Sequence, residues 1–203
     1  MSAISIISIS GVSGVGKTVL LQWLLEIIQP SGLVPSYTTR GRRPSDIGEY
    51  NYINPEQFRL LKESNEFAWF VDEYGNQYGT KADDLHQAVL DAGSIKKVSM
   101  LLIVPKTIHN LRHQMISFGG EVISFYVYCS DENELRRRLM ERDRDPGAVE
   151  RRMVGSRYFS EEASRIKGLH WIDNSGNDNL AKAKEEILKV LREEGSTGLP
   201  KST

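Results

Sequence analysis

Ile4 to Ser10 (ISIISIS) sets isoleucines among small serines and reads as a short buried strand. Gly11 to Gly16 is a glycine-rich turn. Val19, Leu20, Trp23, Leu24, Ile27 and Ile28 then fall on one helical stripe, which Pro30 ends. Strand, glycine loop and helix in that order open many α/β sheets. Pro55 to Ser64 reads as a helix. Phe67 to Tyr78 alternates aromatic and acidic residues around a Gly-Asn turn. Asp83 to Ala92 is helical and closed by Gly93. Two apolar runs of strand length, Val98 to Val104 and Val122 to Tyr128, flank a helical stretch from Thr107 to Met115.

Asp131 to Met140 has an acidic first turn and a basic last turn, as a helix dipole favours. Glu141 to Arg157 is dense in arginine around a central Asp-Pro-Gly turn. Trp171-Ile172 reads as a last strand and Asn179 to Glu194 as an amphipathic helix. The Gly/Ser/Thr/Pro-rich tail, residues 195–203, reads as frayed. The layout is one domain over residues 1–203. Its core covers about 1–34, 85–140 and 158–194, and polar excursions cover about 35–84 and 141–157.

The chain has 203 residues, 39% hydrophobic and 26% charged, with a formal net charge of -1. Charge this close to zero excludes a global basic field for nucleic acid, and the apolar content excludes wholesale disorder. Cys129 is the single cysteine, so no disulfide forms within the chain, and the four histidines do not fall at metal-site spacing. Met1 to Ser10 lacks the basic start of a signal peptide, and no apolar run approaches the ~20 residues of a membrane span. These features predict a soluble cytoplasmic protein with no nucleic-acid or membrane partner; a monomer or homodimer is expected, a choice the sequence does not make.

Gly11-Val12-Ser13-Gly14-Val15-Gly16-Lys17-Thr18 matches G-x-x-x-x-G-K-[ST] without a mismatch. Glycines let successive backbone N–H groups point inward at phosphate oxygens, and the following helix adds its positive end. The motif predicts ATP held by Gly11, Ser13, Gly14, Val15, Gly16, Lys17 and Thr18. Lys17 would pair with the β- and γ-phosphates, and the Thr18 hydroxyl would ligate Mg²⁺.

Ser36-Tyr37-Thr38-Thr39-Arg40-Gly41-Arg42-Arg43-Pro44 packs three arginines into four positions. Gly48 to Tyr52 and Gly75 to Thr80 follow. Arginine binds phosphate in a bidentate way, and tyrosine hydroxyls donate to the same oxygens.

With the phosphate loop, these segments, Asn65-Glu66-Phe67 and the stretch Arg142 to Arg152 resemble the guanylate kinase family over nearly the whole chain. The resemblance implies an α/β fold of the P-loop NTPase type, a parallel sheet flanked by helices. It also implies an inserted nucleoside-monophosphate (NMP)-binding subdomain and a small lid. Arg40, Arg43, Tyr50 and Tyr78 would hold the acceptor's phosphate, with Ser36 and Thr80 near its base. Lid residues Arg142 and Arg152 would touch both nucleotides, with Arg151 the alternative because the spacing is about one residue short. Lys17, Arg142 and Arg152 would carry the catalysis.

Two family carboxylates are missing. Trp69 stands where the family reads guanine's edge, and Leu102 to Thr107 replaces an acidic motif at a strand end. Trp69 would either stack on a base or fill the hole. Asp72 and Glu73 are either replacement acids or solvated charges. The expected activity is phosphoryl transfer from ATP to an NMP, GMP or dGMP first, with weak discrimination for guanine. The alternatives are another nucleotide, another phosphorylated small molecule, or a non-catalytic binding module on the same fold.

Overall fold

A computed structural model describes residues 4–176 and 179–195; most of the tail expected to fray lies outside the described residues. The chain runs β1 (Ile4–Gly11), α1 (Lys17–Ile27), β2 (Ser31–Leu33), β3 (Ser36–Thr38), β4 (Tyr50–Tyr52), α2 (Pro55–Glu63), β5 (Phe67–Glu73) and β6 (Asn76–Lys81). It continues α3 (Ala82–Ile95), β7 (Val98–Leu102), α4 (Ile108–Phe118), β8 (Glu121–Tyr128), α5 (Glu132–Asp143), α6 (Pro146–Ser164), β9 (His170–Asp173) and α7 (Asn179–Glu193).

The main sheet has the order β2-β7-β1-β8-β9, and every pairing in it is parallel. β1 is central and all eight of its residues are buried. A strand covered on both faces must satisfy its polar side chains internally. Ser8 Oγ therefore donates to Ser124 Oγ at 2.9 Å, and Ser10 Oγ to the Phe125 carbonyl at 2.9 Å. Leu20, Leu21, Leu24 and Ile28 seal α1 onto the core. Val19, expected on that stripe, is half exposed at the cleft.

A second sheet, β4-β3-β6-β5, is built by residues 36–81. Its β5–β6 hairpin is antiparallel, and α2 packs Phe58 against Phe67 with ring centroids 4.7 Å apart. A capping box between Asn54 and Gln57, with Pro55 at the first helical position, starts α2.

Two of the boundaries that differ from the sequence reading have a clear backbone cause. α3 runs past Gly93 and ends at Lys96, whose φ is +58°. Pro146 and Gly147 do not make a turn. They open the 19-residue α6, capped by the Asp145 side chain, and the chain breaks earlier, at Arg144 with φ +54°. Proline suits the first turn of a helix because its missing N–H has no partner to lose there.

Candidate active site

Open parallel sheets place their sites beyond the carboxyl ends of the strands. Here β1 ends in the glycine loop, β7 in Leu102 to Val104, and β9 in Asn174. Two of the loop's glycines are sterically required. A Cβ on Gly11, at φ +134°, would run into the Val127 carbonyl oxygen. One on Gly16, at φ +89°, would sit 2.6 Å from Asn174 Nδ2. That Asn174 amide donates to the Val15 carbonyl at 2.8 Å and ties the loop to the end of β9.

The loop forms one wall of a cleft of about 480 Å³. The second sheet and the ends of α5 and α6 form the others. Lys17 Nζ donates to the Val12 carbonyl at 2.6 Å. Its pKa is lowered to about 7, first by desolvation and then by the charges of Arg142, Arg152 and Arg43. Four cations thus line one cleft, where like charges destabilise one another and favour an anion.

The two lid arginines are already gathered there. Arg142 Nη1 donates to Ser13 Oγ at 2.5 Å. Arg142 also grips Asp143 through Nε at 2.8 Å and Nη2 at 2.7 Å. Arg152 Nε lies 2.8 Å from the same carboxylate. Arg151, the alternative, points away: it is exposed and 3.9 Å from Asp145. Of the two, Arg152 lines the cleft.

At the other end of the cleft Arg40 is 7% exposed. Its Nη2 donates to both Asp46 oxygens at 3.0 Å, and its Nη1 to the Gly41 carbonyl at 2.9 Å. The guanidinium lies 4.9 Å from the Tyr50 ring centroid. Tyr50 and Tyr78 meet edge to face at 6.1 Å. Burial pushes the Tyr50 hydroxyl well above its ordinary pKa, so it stays a donor. Burial and a hydrogen bond to Asp46 push Tyr52 up to about 12. The Arg43 guanidinium has no carboxylate partner among the described residues and lines the cleft.

Ser36 Oγ and Thr80 Oγ1, both buried, share a hydrogen bond at 3.3 Å. Beside them the wall is apolar: Trp69, Val71, Ile103, Val104 and Phe159. Trp69 is 7% exposed and belongs to the hydrophobic core. It fills the wall. Asp72 is exposed, while Glu73 faces the cleft but lies 2.5 Å from Lys106 Nζ. Neither is a free acid in the base region.

Thr18 lines the cleft beside Lys17. Among the described residues no cluster of three His, Cys, Asp or Glu could hold a metal. One hydroxyl leaves most of an octahedron to phosphate oxygens and water, which suits Mg²⁺ bound with a nucleotide.

A model of the guanylate kinase family matches residues 4–191. This chain belongs to the guanylate kinase family. The guanylate kinase of Geobacter sulfurreducens is 31% identical over 186 residues, covering 90% of this chain and 85% of that protein. That of Rhizobium johnstonii is 28% identical over 191 residues, covering 92% and 80%. The crystal structure of guanylate kinase from Anaplasma phagocytophilum superposes with a TM-score of 0.66 at 20% identity, over 98% of this chain and 90% of that one. That last likeness is one of fold. No helix among the described residues is long and apolar enough to cross a membrane.

Three supporting residues carried no functional reading in the sequence. Asp46 lies three residues beyond Arg43 in an arginine-rich run, Asp143 directly follows a lid arginine, and Asn174 directly follows the last strand. An acid beside an arginine cluster, or a polar residue at a parallel strand's end, is the signal that would have found them.

Proposed function

We propose that this guanylate kinase family member moves the terminal phosphoryl group of ATP to the phosphate of a nucleoside monophosphate, GMP first. The observation that carries this reading is that Lys17, Arg43, Arg142 and Arg152 all line the cleft beside the glycine loop. A polyphosphate chain relieves the repulsion among these cations, and Arg40 in the same cleft offers a second anion-binding group for an acceptor placed end to end with it. Backbone amides from Gly11 to Thr18 and the Lys17 ammonium hold the donor. Arg40, Arg43, Tyr50 and Tyr78 hold the acceptor's phosphate.

An acceptor oxygen attacks the γ-phosphorus in line, and the bond to the β,γ-bridging oxygen breaks to release ADP. A phosphate monoester is already anionic, so no general base is needed. Lys17, Arg142 and Arg152 neutralise charge on the migrating group, and the arginines at the cleft mouth help exclude water. Thr18 would hold Mg²⁺, which supplies charge neutralisation at the β- and γ-oxygens when bound.

Ser36 and Thr80 meet the base beside the apolar wall of Trp69, Val71 and Val104. With Trp69 in the apolar wall in place of a carboxylate, guanine's N1–H and N2–H₂ donors gain little there over adenine's edge. A coupled assay over NMPs and dNMPs tests the reading. ADP release above background with at least one acceptor is expected; none with any acceptor overturns it. A scaffold without catalysis leaves the crowded Lys17 ammonium without a purpose. Calorimetric ATP titration showing equal, negligible heats for wild type and Lys17→Ala would favour that scaffold.

A further inference from the structure

Glu73 and Tyr74 sit side by side at the tip of the β5–β6 hairpin, and each reaches a different wall of the cleft. Glu73 pairs with Lys106 in the turn that follows β7 of the main sheet, at 2.5 Å. Tyr74 turns the other way. The Arg152 guanidinium lies over its ring, 5.2 Å from the centroid. Its hydroxyl fills the space that a Cβ on Gly155 would occupy. Arg152 and Gly155 both belong to α6.

The backbone singles out Tyr74. It holds φ +50° and Gly75 follows at +76°, so both central positions of a two-residue hairpin loop are left-handed. That geometry suits Asn or Gly and disfavours a bulky aromatic. A residue kept against its backbone preference directs attention to its side chain. The ring is not core filler, since Tyr74 is 42% exposed.

Arg152 needs such a support. Arg142, Arg43 and Lys17 all repel it, so an unrestrained guanidinium would swing into water. Two contacts keep it inward: the Asp143 carboxylate and the face of Tyr74. Through Asp143 it is tied to Arg142, and through Arg142 to Ser13 of the glycine loop. The contacts run unbroken from the main sheet, over the hairpin tip, to the phosphate loop.

We propose that Tyr74 is a positioning residue: the docked hairpin sets the Arg152 guanidinium through the Tyr74 ring, so the second sheet and the lid arginines come into register together. This rests on the transferase reading above. Contiguity alone does not demonstrate coupling, so the test must read it.

Tyr74→Asn keeps a residue suited to the left-handed turn and deletes the ring. Tyr74→Phe keeps the ring. Tyr74→Asn is expected to lower kcat about tenfold with the acceptor KM little changed, and to hold its thermal midpoint within about 3 °C of wild type. Tyr74→Phe stays within about twofold of wild type in kcat. In an Arg152→Gln background, Tyr74→Asn should cost less than about twofold more. A purely structural tyrosine would show none of this pattern. Wild-type kcat in Tyr74→Asn, an equal loss in Tyr74→Phe, or a full tenfold loss without Arg152 overturns the proposal.

If the wild type turns over no acceptor, the transferase reading fails on its own. ATP calorimetry then decides the role of Tyr74. Affinity weakened about tenfold in Tyr74→Asn and kept in Tyr74→Phe supports it; equal affinities in all three proteins overturn it.

Discussion

Arg40 and Asp46, six residues apart, form a buried ion pair in which one guanidinium nitrogen donates to both carboxylate oxygens at 3.0 Å. Each side chain is 8% exposed. The carboxylate also accepts from the Arg43 amide at 2.6 Å and the Tyr52 hydroxyl at 2.5 Å. The Arg40 guanidinium is therefore held in one orientation at the cleft.

Asp46→Ala strands a buried cation and should cost about 3 kcal/mol of stability. It should also raise the acceptor KM more than the ATP KM, because only the acceptor's arginine loses its support. Burial alone would raise the Asp46 pKa, but the Arg40 guanidinium, the Tyr52 hydroxyl and the Arg43 amide hold it below the usual carboxylate range. The pair's contribution is thus complete above about pH 4 and lost as pH falls through the lowered value. Acid unfolding of wild type and variant should converge; parallel curves down to the lowest pH would refute the assignment.

Desolvation and the neighbouring arginines lower the Lys17 pKa to about 7, against an ordinary value of 10.5. Between those values the unfolded chain binds the extra proton, so this group's contribution to stability rises with pH over that window. A bound polyphosphate restores the charged form. ATP binding at about pH 8 should therefore take up a proton, and at about pH 6 it should not. Calorimetry in buffers of different ionisation enthalpy reads this directly. Buffer dependence that persists unchanged in Lys17→Ala would assign the proton elsewhere.

Selectivity among bases should be shallow. kcat/KM for GMP and AMP should agree within about tenfold, since Trp69 sets an apolar ring where a carboxylate would reward guanine's donors. Trp69→Glu, which places a carboxylate in the apolar wall, should move the ratio towards GMP by about tenfold or more. A wild-type preference for GMP of about four decades would contradict this account of the pocket.

Asn174 supports the glycine loop from β9. Asn174→Ala leaves the buried Val15 carbonyl without its donor and should cost about 1–2 kcal/mol. ATP affinity should fall several-fold while acceptor binding holds. Unchanged ATP titration together with a lowered melting temperature would restrict Asn174 to a purely structural role.

Local chemistry was legible in the sequence. The loop Gly11 to Thr18 and the helix from Pro55 depend on neighbours a few residues away, so spacing alone announces them. Misread details followed from competition beyond that range. The Asp-Pro-Gly signal near residue 146 predicts a turn, but Pro146 opens a helix because the chain has already turned at Arg144. Gly93 did not stop α3, which runs on to Ile95.

By itself the sequence determined the strand–loop–helix phosphate cradle and the two arginine sets, because each is written within a short stretch of chain. Tertiary packing decided which way each side chain faces. Arg151 and Arg152 lie about 100° apart on α6, and only the docking of that helix turns Arg152 inward. Trp69 joined the wall and Glu73 met Lys106 for the same reason: partners 30 or more residues distant are chosen by how the sheets pack, not by spacing along the chain.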